Sequence, residues 1–328
     1  MNIAVFSTKP YDKDFLNMYN AKHEISFFDS SLNINTVSLS KGFDVVCVFV
    51  NDKVDKQIIE ILAQNGVGLI ALRCAGFNNV DLSAAKKHNI KVVRVPAYSP
   101  EAVAEHTVAL ILTLNRKTHK AYNRVREGNF SLQNLIGFDL YKKSVGVIGT
   151  GKIGAAFCKI MLGFGCKVMA YDVYPTQELI DLGVKYLELD KIYEQSDIIS
   201  LHCPLTADTK HIINAHSLEK MKDGVMIINT SRGGLINTSD IVEALKTKKV
   251  GYLGIDVYEQ EENLFFQDFS EQLIEDELIL RLISFPNVLI TSHQAFLTFE
   301  ALTEISKTVY ENIDAFENQE DLKNEVIQ

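Results

Sequence analysis

The chain has few of the features that mark secreted, membrane-bound or nucleic-acid-binding proteins. Its five cysteines are odd in number and scattered, without a C-x-x-C pair, which is typical of a reducing compartment. Acidic residues outnumber basic ones by 42 to 33, and the formal net charge of -9 argues against nucleic acid or an anionic membrane as a partner, since both need a basic face. The first residues, MNIAVFSTKPYDKD, do not read as a signal peptide, and no later apolar run approaches the length of a membrane span. We therefore expect a cytoplasmic protein.

What the chain does have is enough apolar sequence for two folded domains. Its 328 residues exceed the size at which one hydrophobic core keeps growing, and 47% of them are hydrophobic. The first hundred or so residues alternate β-rich runs such as NIAVFS, DVVCVFV and GLIALRCAG with helical patterns. This alternation predicts βαβ units around a parallel sheet, and its five strands suffice for a small flavodoxin-like domain.

A second alternation starts near Lys143, and its six predicted strands match a Rossmann domain. Between the two alternations, SPEAVAEHTVALILTLNR predicts one long bridging helix. The final pattern, TFEALTEISKTVYENIDAFENQ, predicts an amphipathic helix that leads to no further strand and returns to the first domain. The expected fold class is α/β with two doubly wound parallel-sheet domains. The first would comprise residues 1–99 and 299–328, and the second, residues 100–298, would be inserted within it.

The stretch SVGVIGTGKIGAAF has the pattern of a dinucleotide-binding turn, because a β-rich run enters G-T-G-K-I-G and then a helix. Gly149 permits the tight turn, Gly151 lets a pyrophosphate approach the backbone, and Gly154 lets the helix pack against the strand. Asp172 ends the next strand, where a carboxylate binds the adenosine ribose hydroxyls and repels the 2′-phosphate of NADP. The predicted cofactor is therefore NAD, and no metal site is predicted. Its predicted contacts here are Gly149, Gly151, Lys152, Ile153, Gly154 and Asp172.

Three predicted strands of the second domain end in side chains that suit a proton-coupled reaction. MIINTS runs into Arg232, GIDVY into the EQEE loop with Glu261, and NVLITS into His293. Parallel strands end at one edge of a sheet, so an anion binder, an orienting acid and a proton carrier are expected to converge. Taken singly, each has a plainer interpretation as a surface arginine, a solvated loop or a structural histidine, but the cluster favours a catalytic site. Gly233 and Gly234, after the arginine, would let a small ligand come near.

These segments resemble the D-isomer-specific 2-hydroxyacid dehydrogenases. NTSRGGLI, DVYEQE and TSHQAFLT are similar to motifs of that family, as is GTGKIG with Asp172. RCAGFNNVD, SLHCPLT and HQAFLT look more closely like its D-lactate dehydrogenase branch, and the resemblance covers nearly the whole chain. It implies that the first domain is a flavodoxin-like substrate domain and the second an inserted Rossmann NAD-binding domain, with the active site between them.

The resemblance also implies a role for each site residue. Arg232 would bind the substrate carboxylate and carbonyl, His293 would be the acid/base, and Glu261 would hydrogen-bond to His293. The implied substrate contacts are Cys74, Ala75, Gly76, Tyr98 and Phe296, and the further cofactor contacts are Cys203, Pro204, Thr230 and Asp256. The expected reaction is the reversible NADH-dependent reduction of pyruvate to D-lactate, carried out by a homodimer or homotetramer.

Two alternatives stay open at this point. One is a related dehydrogenase for a larger substrate, such as hydroxyisocaproate or phenyllactate. The other is a corepressor-like protein that senses NAD(H) and binds partner proteins, since such a protein can retain the arginine, the glutamate and the histidine. Turnover of a 2-keto acid with NADH would distinguish an enzyme from a corepressor.

Overall fold

A computed structural model describes residues 1–327, which divide into two compact units. The first unit consists of Met1–Ser99 together with residues 297–327, and the second is Pro100–Phe296. The sequence-based boundaries lie at 99/100 and 298/299, and those of the units lie at 99/100 and 296/297. Gln328, the last residue assigned to the first domain from the sequence, lies outside the described residues.

The first unit is built on a parallel sheet. Its strands are β1 (Asn2–Val5), β2 (Glu24–Phe27), β3 (Val45–Val48), β4 (Leu69–Leu72) and β5 (Lys91–Val93). Within residues 1–327 these five strands are ordered β2-β1-β3-β4-β5, and every pair is parallel, which is the flavodoxin-like order. Strands β3 and β4 are apolar and buried at every position, as expected inside a parallel α/β sheet.

Three helices connect these strands, namely α1 (Pro10–Tyr19), α2 (Lys56–Gln64) and α3 (Leu82–Lys87). The second and third begin at aspartates whose side chains accept hydrogen bonds from backbone N–H groups of the first turn. An aspartate at this position satisfies a backbone donor that the helix itself leaves unpaired. The sequence thus specifies where these helices start.

The second unit begins with α4 (Pro100–Arg116), the long helix predicted from the sequence, followed by α5 (Thr118–Arg126). Its strands are β6 (Ser144–Ile148), β7 (Lys167–Tyr171), β8 (Lys185–Tyr186), β9 (Ile198–Leu201), β10 (Val225–Asn229), β11 (Val250–Ile255) and β12 (Val288–Ile290). Among the described residues, the seven strands form one parallel sheet in the order β12-β11-β10-β9-β6-β7-β8. This is the Rossmann order with one strand added beyond β11.

The Rossmann prediction is confirmed, but it missed β8. That strand has two residues and pairs only with β7, at Met169 and Ala170, so no alternating pattern could reveal it. The connecting helices are α6 (Lys152–Gly163), α7 (Gln177–Asp181), α8 (Leu189–Gln195), α9 (Ala215–Lys220), α10 (Thr238–Lys246) and α11 (Glu277–Ser284). Ile227 packs in one hydrophobic cluster and its neighbours Met226 and Ile228 in another, because successive residues of a strand face opposite sides.

The last helix, α12 (Phe299–Glu317), packs against α1 and β4 of the first unit. The Tyr310 hydroxyl donates to the Leu16 carbonyl at 2.8 Å, and Asn312 donates its amide to the Arg94 carbonyl at 3.0 Å. These contacts fix the helix to the unit in which the chain starts. In the part of the chain that the structure describes, no helix is both long and apolar enough to cross a membrane.

Candidate active site

The glycines of the G-T-G-K-I-G turn have different physical reasons to be glycine. Gly149 has φ of +94°, and a Cβ there would lie 2.5 Å from the backbone nitrogen of Cys203. A Cβ on Gly154 would lie 2.0 Å from the Gly149 carbonyl oxygen, so the strand and the helix require both glycines. At Gly151 a Cβ would meet no described atom within 4 Å. The space beside Gly151, at the N-terminus of α6, is where a pyrophosphate would approach the backbone.

Asp172, just after β7, is held against the same turn. Its carboxylate accepts hydrogen bonds from the Thr150 backbone N–H, from the Thr150 hydroxyl at 3.1 Å and from the Tyr174 backbone N–H at 2.9 Å. The Tyr186 hydroxyl donates to the Thr150 hydroxyl at 2.9 Å. Thr150 therefore contacts Asp172, a predicted cofactor residue. The sequence did not indicate this contact, because the G-x-G-x-x-G motif allows any residue at position 150. Lys152, which is exposed, and Ile153, which is half-buried, form the first turn of α6.

The predicted acid/base pair is formed where β11 and β12 end side by side. His293 Nδ1 lies 2.8 Å from Glu261 Oε1, and the two side chains are 17% and 23% exposed. The other carboxylate oxygen of Glu261 accepts the Tyr258 backbone N–H at 2.8 Å, so the acid is fixed from both sides. A carboxylate can only accept, so Nδ1 carries the hydrogen in this contact and Nε2 is left as the atom that exchanges a proton.

The loop that carries His293 is anchored on a buried carboxylate. Asp256 is 0% exposed, and it accepts hydrogen bonds from the Gln294 and Ala295 backbone N–H groups, each at 2.9 Å, and from the Thr291 hydroxyl. The Asp256 carbonyl accepts the His293 N–H at 2.7 Å, and His293 itself has a left-handed backbone with φ of +55°. Asp256 was predicted as a cofactor contact. Its observed contacts hold the histidine loop in place, and its contact with the cofactor stays a prediction.

Arg232 follows β10, the neighbour of β11. Its guanidinium is half-buried and donates to the adjacent Ser231 carbonyl at 2.7 Å. Among the described residues it forms no ion pair with a carboxylate, so its charge is available to an anion. The Asn229 side chain fixes the loop by donating to the Arg232 carbonyl and accepting the Ser231 N–H.

The two glycines after Arg232 pack closely against other parts of the second unit. A Cβ on Gly233 would lie 2.1 Å from the Tyr258 carbonyl oxygen, and one on Gly234 would lie 3.0 Å from the Leu205 side chain. That these glycines let a small ligand come near stays a prediction. Gly233 is needed because the arginine loop packs directly on the backbone that leads to Glu261.

The remaining predicted cofactor residues of this unit lie beside the same edge. Cys203 follows β9 and contacts the Gly149 turn through its backbone, while burial raises the pKa of its thiol to about 11. The Pro204 carbonyl accepts the Thr209 hydroxyl at 2.6 Å, and the Thr230 hydroxyl lies 2.8 Å from that of Thr107. The turn, the strand ends and the acid/base pair thus share one edge of one sheet.

Comparison with known proteins identifies the family to which the chain belongs. Residues 108–295 match the family model described as D-isomer specific 2-hydroxyacid dehydrogenase, NAD binding domain. The chain belongs to the D-isomer specific 2-hydroxyacid dehydrogenase family. It is 54% identical to a 2-hydroxyacid dehydrogenase homolog of Haemophilus influenzae, over 95% of both chains. It is 52% identical to the D-lactate dehydrogenase of Escherichia coli, over 100% of both chains.

A solved structure, described as the pyruvate reductase of Chlamydomonas reinhardtii, shares this fold. It is 46% identical, has a TM-score of 0.94, and the match covers 99% of this chain and 98% of that one. The protein is therefore an NAD-dependent oxidoreductase of the 2-hydroxyacid dehydrogenase family. The open space at Gly151, the N-terminus of α6 and the fixed carboxylate of Asp172 fit a bound NAD.

Most of the predicted substrate contacts of this dehydrogenase lie in the first unit. The Cys74 thiol donates to the Gly76 carbonyl at 3.3 Å, and the Ala75 carbonyl accepts the Arg94 guanidinium at 2.9 Å. Tyr98 is half-buried in the segment that precedes α4. Phe296, 7% exposed, belongs to the second unit with His293. The approach of these residues to a substrate remains a prediction.

Proposed function

We propose that the protein is a D-lactate dehydrogenase, which reduces pyruvate to D-lactate with NADH. The observation that carries this proposal is the His293–Glu261 pair at 2.8 Å, on the same sheet edge as an arginine that has no acidic partner among the described residues. Identity of 52% to the Escherichia coli D-lactate dehydrogenase over the full length supports pyruvate as the substrate. The D configuration follows from the family.

Each of the three residues has one task in this reaction. Bound NADH supplies the hydride. His293 donates the proton on Nε2 to the carbonyl oxygen as charge builds there, while Glu261 keeps the imidazole oriented. Arg232 binds the substrate carboxylate with its planar fork, which can form two parallel hydrogen bonds.

The remaining pocket residues set the size of the substrate. We propose that backbone N–H groups of Ala75 and Gly76 bind the carboxylate, and that Tyr98 and Phe296 leave room for little more than a methyl group. A hydrophobic pocket distinguishes substrates that differ by a methylene by about 1 to 3 kcal/mol, so the preference over slightly larger keto acids is modest.

A panel of 2-keto acids with NADH and NADPH, followed by chiral analysis of the product, tests the function. We expect pyruvate to have the highest kcat/KM, D-lactate to be the product, and NADH to be preferred because Asp172 repels a 2′-phosphate. A clear preference for phenylpyruvate or 2-ketoisocaproate would contradict the lactate assignment but not the family. Absence of turnover with every keto acid would favour the corepressor alternative.

We also propose a homodimer or homotetramer that assembles through the second unit. Six large hydrophobic side chains of α5 and the segment after it are exposed, and exposed apolar surface marks sites of protein association when it is contiguous. They are Tyr122, Val125, Phe130, Leu132, Ile136 and Tyr141. Light scattering of the wild type and of Leu132→Lys tests this, and a wild type of monomer mass would contradict it.

A cytoplasmic location is supported by the five free cysteines.

A further inference from the structure

A second histidine–carboxylate pair lies on the same sheet edge and has no role in the proposed reaction. His211 Nε2 lies 2.5 Å from Glu259 Oε1, and the other carboxylate oxygen accepts the Thr238 hydroxyl at 2.9 Å and the Thr238 backbone N–H at 3.2 Å. The two paired side chains are 29% and 25% exposed. Both oxygens of Glu259 are therefore engaged, in a contact partly sheltered from water.

The pair joins three segments that come from distant parts of the chain. The His211 backbone N–H donates to the Gly234 carbonyl at 2.9 Å, and Ile213 forms a parallel bridge with Ile236. The segment after β9 is thereby attached to the segment that carries Arg232. Glu259 lies on the third segment, where its backbone nitrogen would be 2.4 Å from a Cβ on Gly233.

Backbone conformation and charge both indicate that the pair is held in a defined geometry. His211 has φ of +54°, a left-handed conformation that a non-glycine residue adopts only when its surroundings hold it there. Burial alone would raise the pKa of Glu259, but hydrogen bonds from His211 and Thr238 lower it below its usual value. The group is thus a carboxylate at neutral pH, as the contacts with its donors require.

The position of Arg232 depends on this neighbourhood. Its guanidinium bonds to the adjacent Ser231 carbonyl and, among the described residues, to no carboxylate. Its orientation is therefore not fixed by an ion pair with any described residue. That loop packs on the backbone of Tyr258 and Glu259. Glu259 lies two residues before Glu261, the acid paired with His293.

We infer that His211 and Glu259 form a positioning pair, which fixes the arginine loop relative to the loop of Glu261 and His293. The inference rests on the proposed carboxylate-binding role of Arg232. The pair itself contacts neither the proton donor nor the dinucleotide turn. Its loss displaces the arginine loop, and displacements of about 1 Å can cost roughly 100-fold in rate.

The test compares His211→Ala, Glu259→Ala, the double variant and Glu259→Gln, using kcat, KM for pyruvate, Kd for NADH and the melting temperature. We expect each alanine variant to lose roughly 10- to 100-fold in kcat/KM, mostly through KM, with NADH affinity changed less than about twofold. The double variant should resemble either single variant, because one interaction is lost in all three. Glu259→Gln should recover most of the activity, since an amide can still bond to Thr238 and His211.

Asp314→Ala is the matched control for the alanine variants, because it removes the carboxylate of a different histidine–carboxylate contact, at 3.1 Å from His23 in the first unit. It should leave KM for pyruvate unchanged. Alanine variants that are less stable but keep wild-type KM and kcat when folded would overturn the inference. A double variant whose losses are additive would overturn it as well.

The two proposals can fail separately. Whether the wild type reduces pyruvate is decided before any variant is made, and a wild type that prefers another keto acid is compared with its variants on that acid. Binding of oxamate, a non-reducible pyruvate analogue, to the enzyme–NADH complex provides a readout without turnover. Weaker oxamate binding in both alanine variants supports the positioning pair, and unchanged binding overturns it.

Discussion

Each unit has an arginine just beyond a parallel strand, and the two arginines differ in what surrounds them. Arg73, after β4, is 2% exposed, lies 3.2 Å from the Asp12 carboxylate, donates to the Ser7 carbonyl at 2.9 Å and covers the Phe49 ring. Arg232, after β10, is half-buried and bonds only to its neighbour's carbonyl among the described residues. The first guanidinium is used by the fold, and the second is the one proposed to bind the substrate carboxylate.

Two histidines of the second unit repeat the contrast. His202, after β9, packs on the Phe157 ring and lies 2.9 Å from the Ser200 hydroxyl, and burial lowers its pKa to about 3. His293, after β12, is partly exposed and paired with Glu261. Structural side chains and those proposed to be functional thus share a residue type and a place after a strand. The partners, or their absence, distinguish the two.

The largest expected effect is on the functional histidine. His293→Ala removes the proton donor and should lower kcat/KM for pyruvate by roughly 10² to 10⁴. The melting temperature should change little, because the side chain is partly exposed. Steady-state kinetics and thermal unfolding measure the two effects. A variant that kept more than half of the wild-type rate would place the proton donor elsewhere.

Replacement of the structural arginine, Arg73, should instead affect stability more than activity. Arg73→Met leaves the Asp12 carboxylate, which is 11% exposed, without its partner, and this should lower the free energy of unfolding by about 3 to 5 kcal/mol. Urea unfolding measures the change, and Arg281→Met, at an exposed site, is the control, with an expected change within about 0.5 kcal/mol. Equal stability of the two variants would show that Arg73 is not used by the fold.

For the functional arginine we expect a smaller change that affects activity alone. Arg232→Lys keeps the charge but loses the bidentate fork, and hydrogen bonds to charged groups are worth about 1.5 to 3 kcal/mol. The value of kcat/KM should fall roughly 10- to 100-fold, with stability unchanged. Wild-type kinetics with pyruvate in this variant would remove Arg232 from carboxylate binding.

The structural histidine should reveal itself through pH. Its pKa is about 3 in the folded protein, against 6.5 for an unperturbed histidine, so the unfolded chain binds more protons between these values. Stability is therefore lost as the pH falls below about 6.5, by up to about 1.4 kcal/mol per pH unit from this group. His202→Asn removes that contribution, and urea unfolding at several pH values should give a shallower slope than the wild type. Identical slopes would mean that His202 is protonated in the folded state.

The sequence predicted those structural features that depend on one residue type or on one run of residues. VVCV and LIAL predict buried strands because a parallel sheet covers both faces of its inner strands. Arg232 and His293 could be singled out because strand ends meet at one edge. The segment EQEE was harder to interpret, since Glu259 and Glu261 have the same chemistry. Only the backbone beyond β11 directs one to His211 and the other to His293.

The features that the sequence did not reveal depend on contacts between distant residues. Thr150 bonds to Asp172, and Asp256 to the histidine loop, through backbone N–H groups that are alike in every residue. Gly233 is constrained by the Tyr258 carbonyl, which no local pattern can indicate. Such constraints become visible only when the register of neighbouring strands is known.

The left-handed backbone of His293 has a consequence for selection experiments, because replacing the histidine can raise stability. A residue with a Cβ costs about 1 to 2 kcal/mol in that conformation, whereas glycine adopts it freely and asparagine with less cost. A library randomised at position 293 and sorted for survival of heating alone should therefore enrich glycine and asparagine. Under the proposed mechanism, the most heat-resistant clones would lack the proton donor, and only selection for turnover would keep histidine at this position.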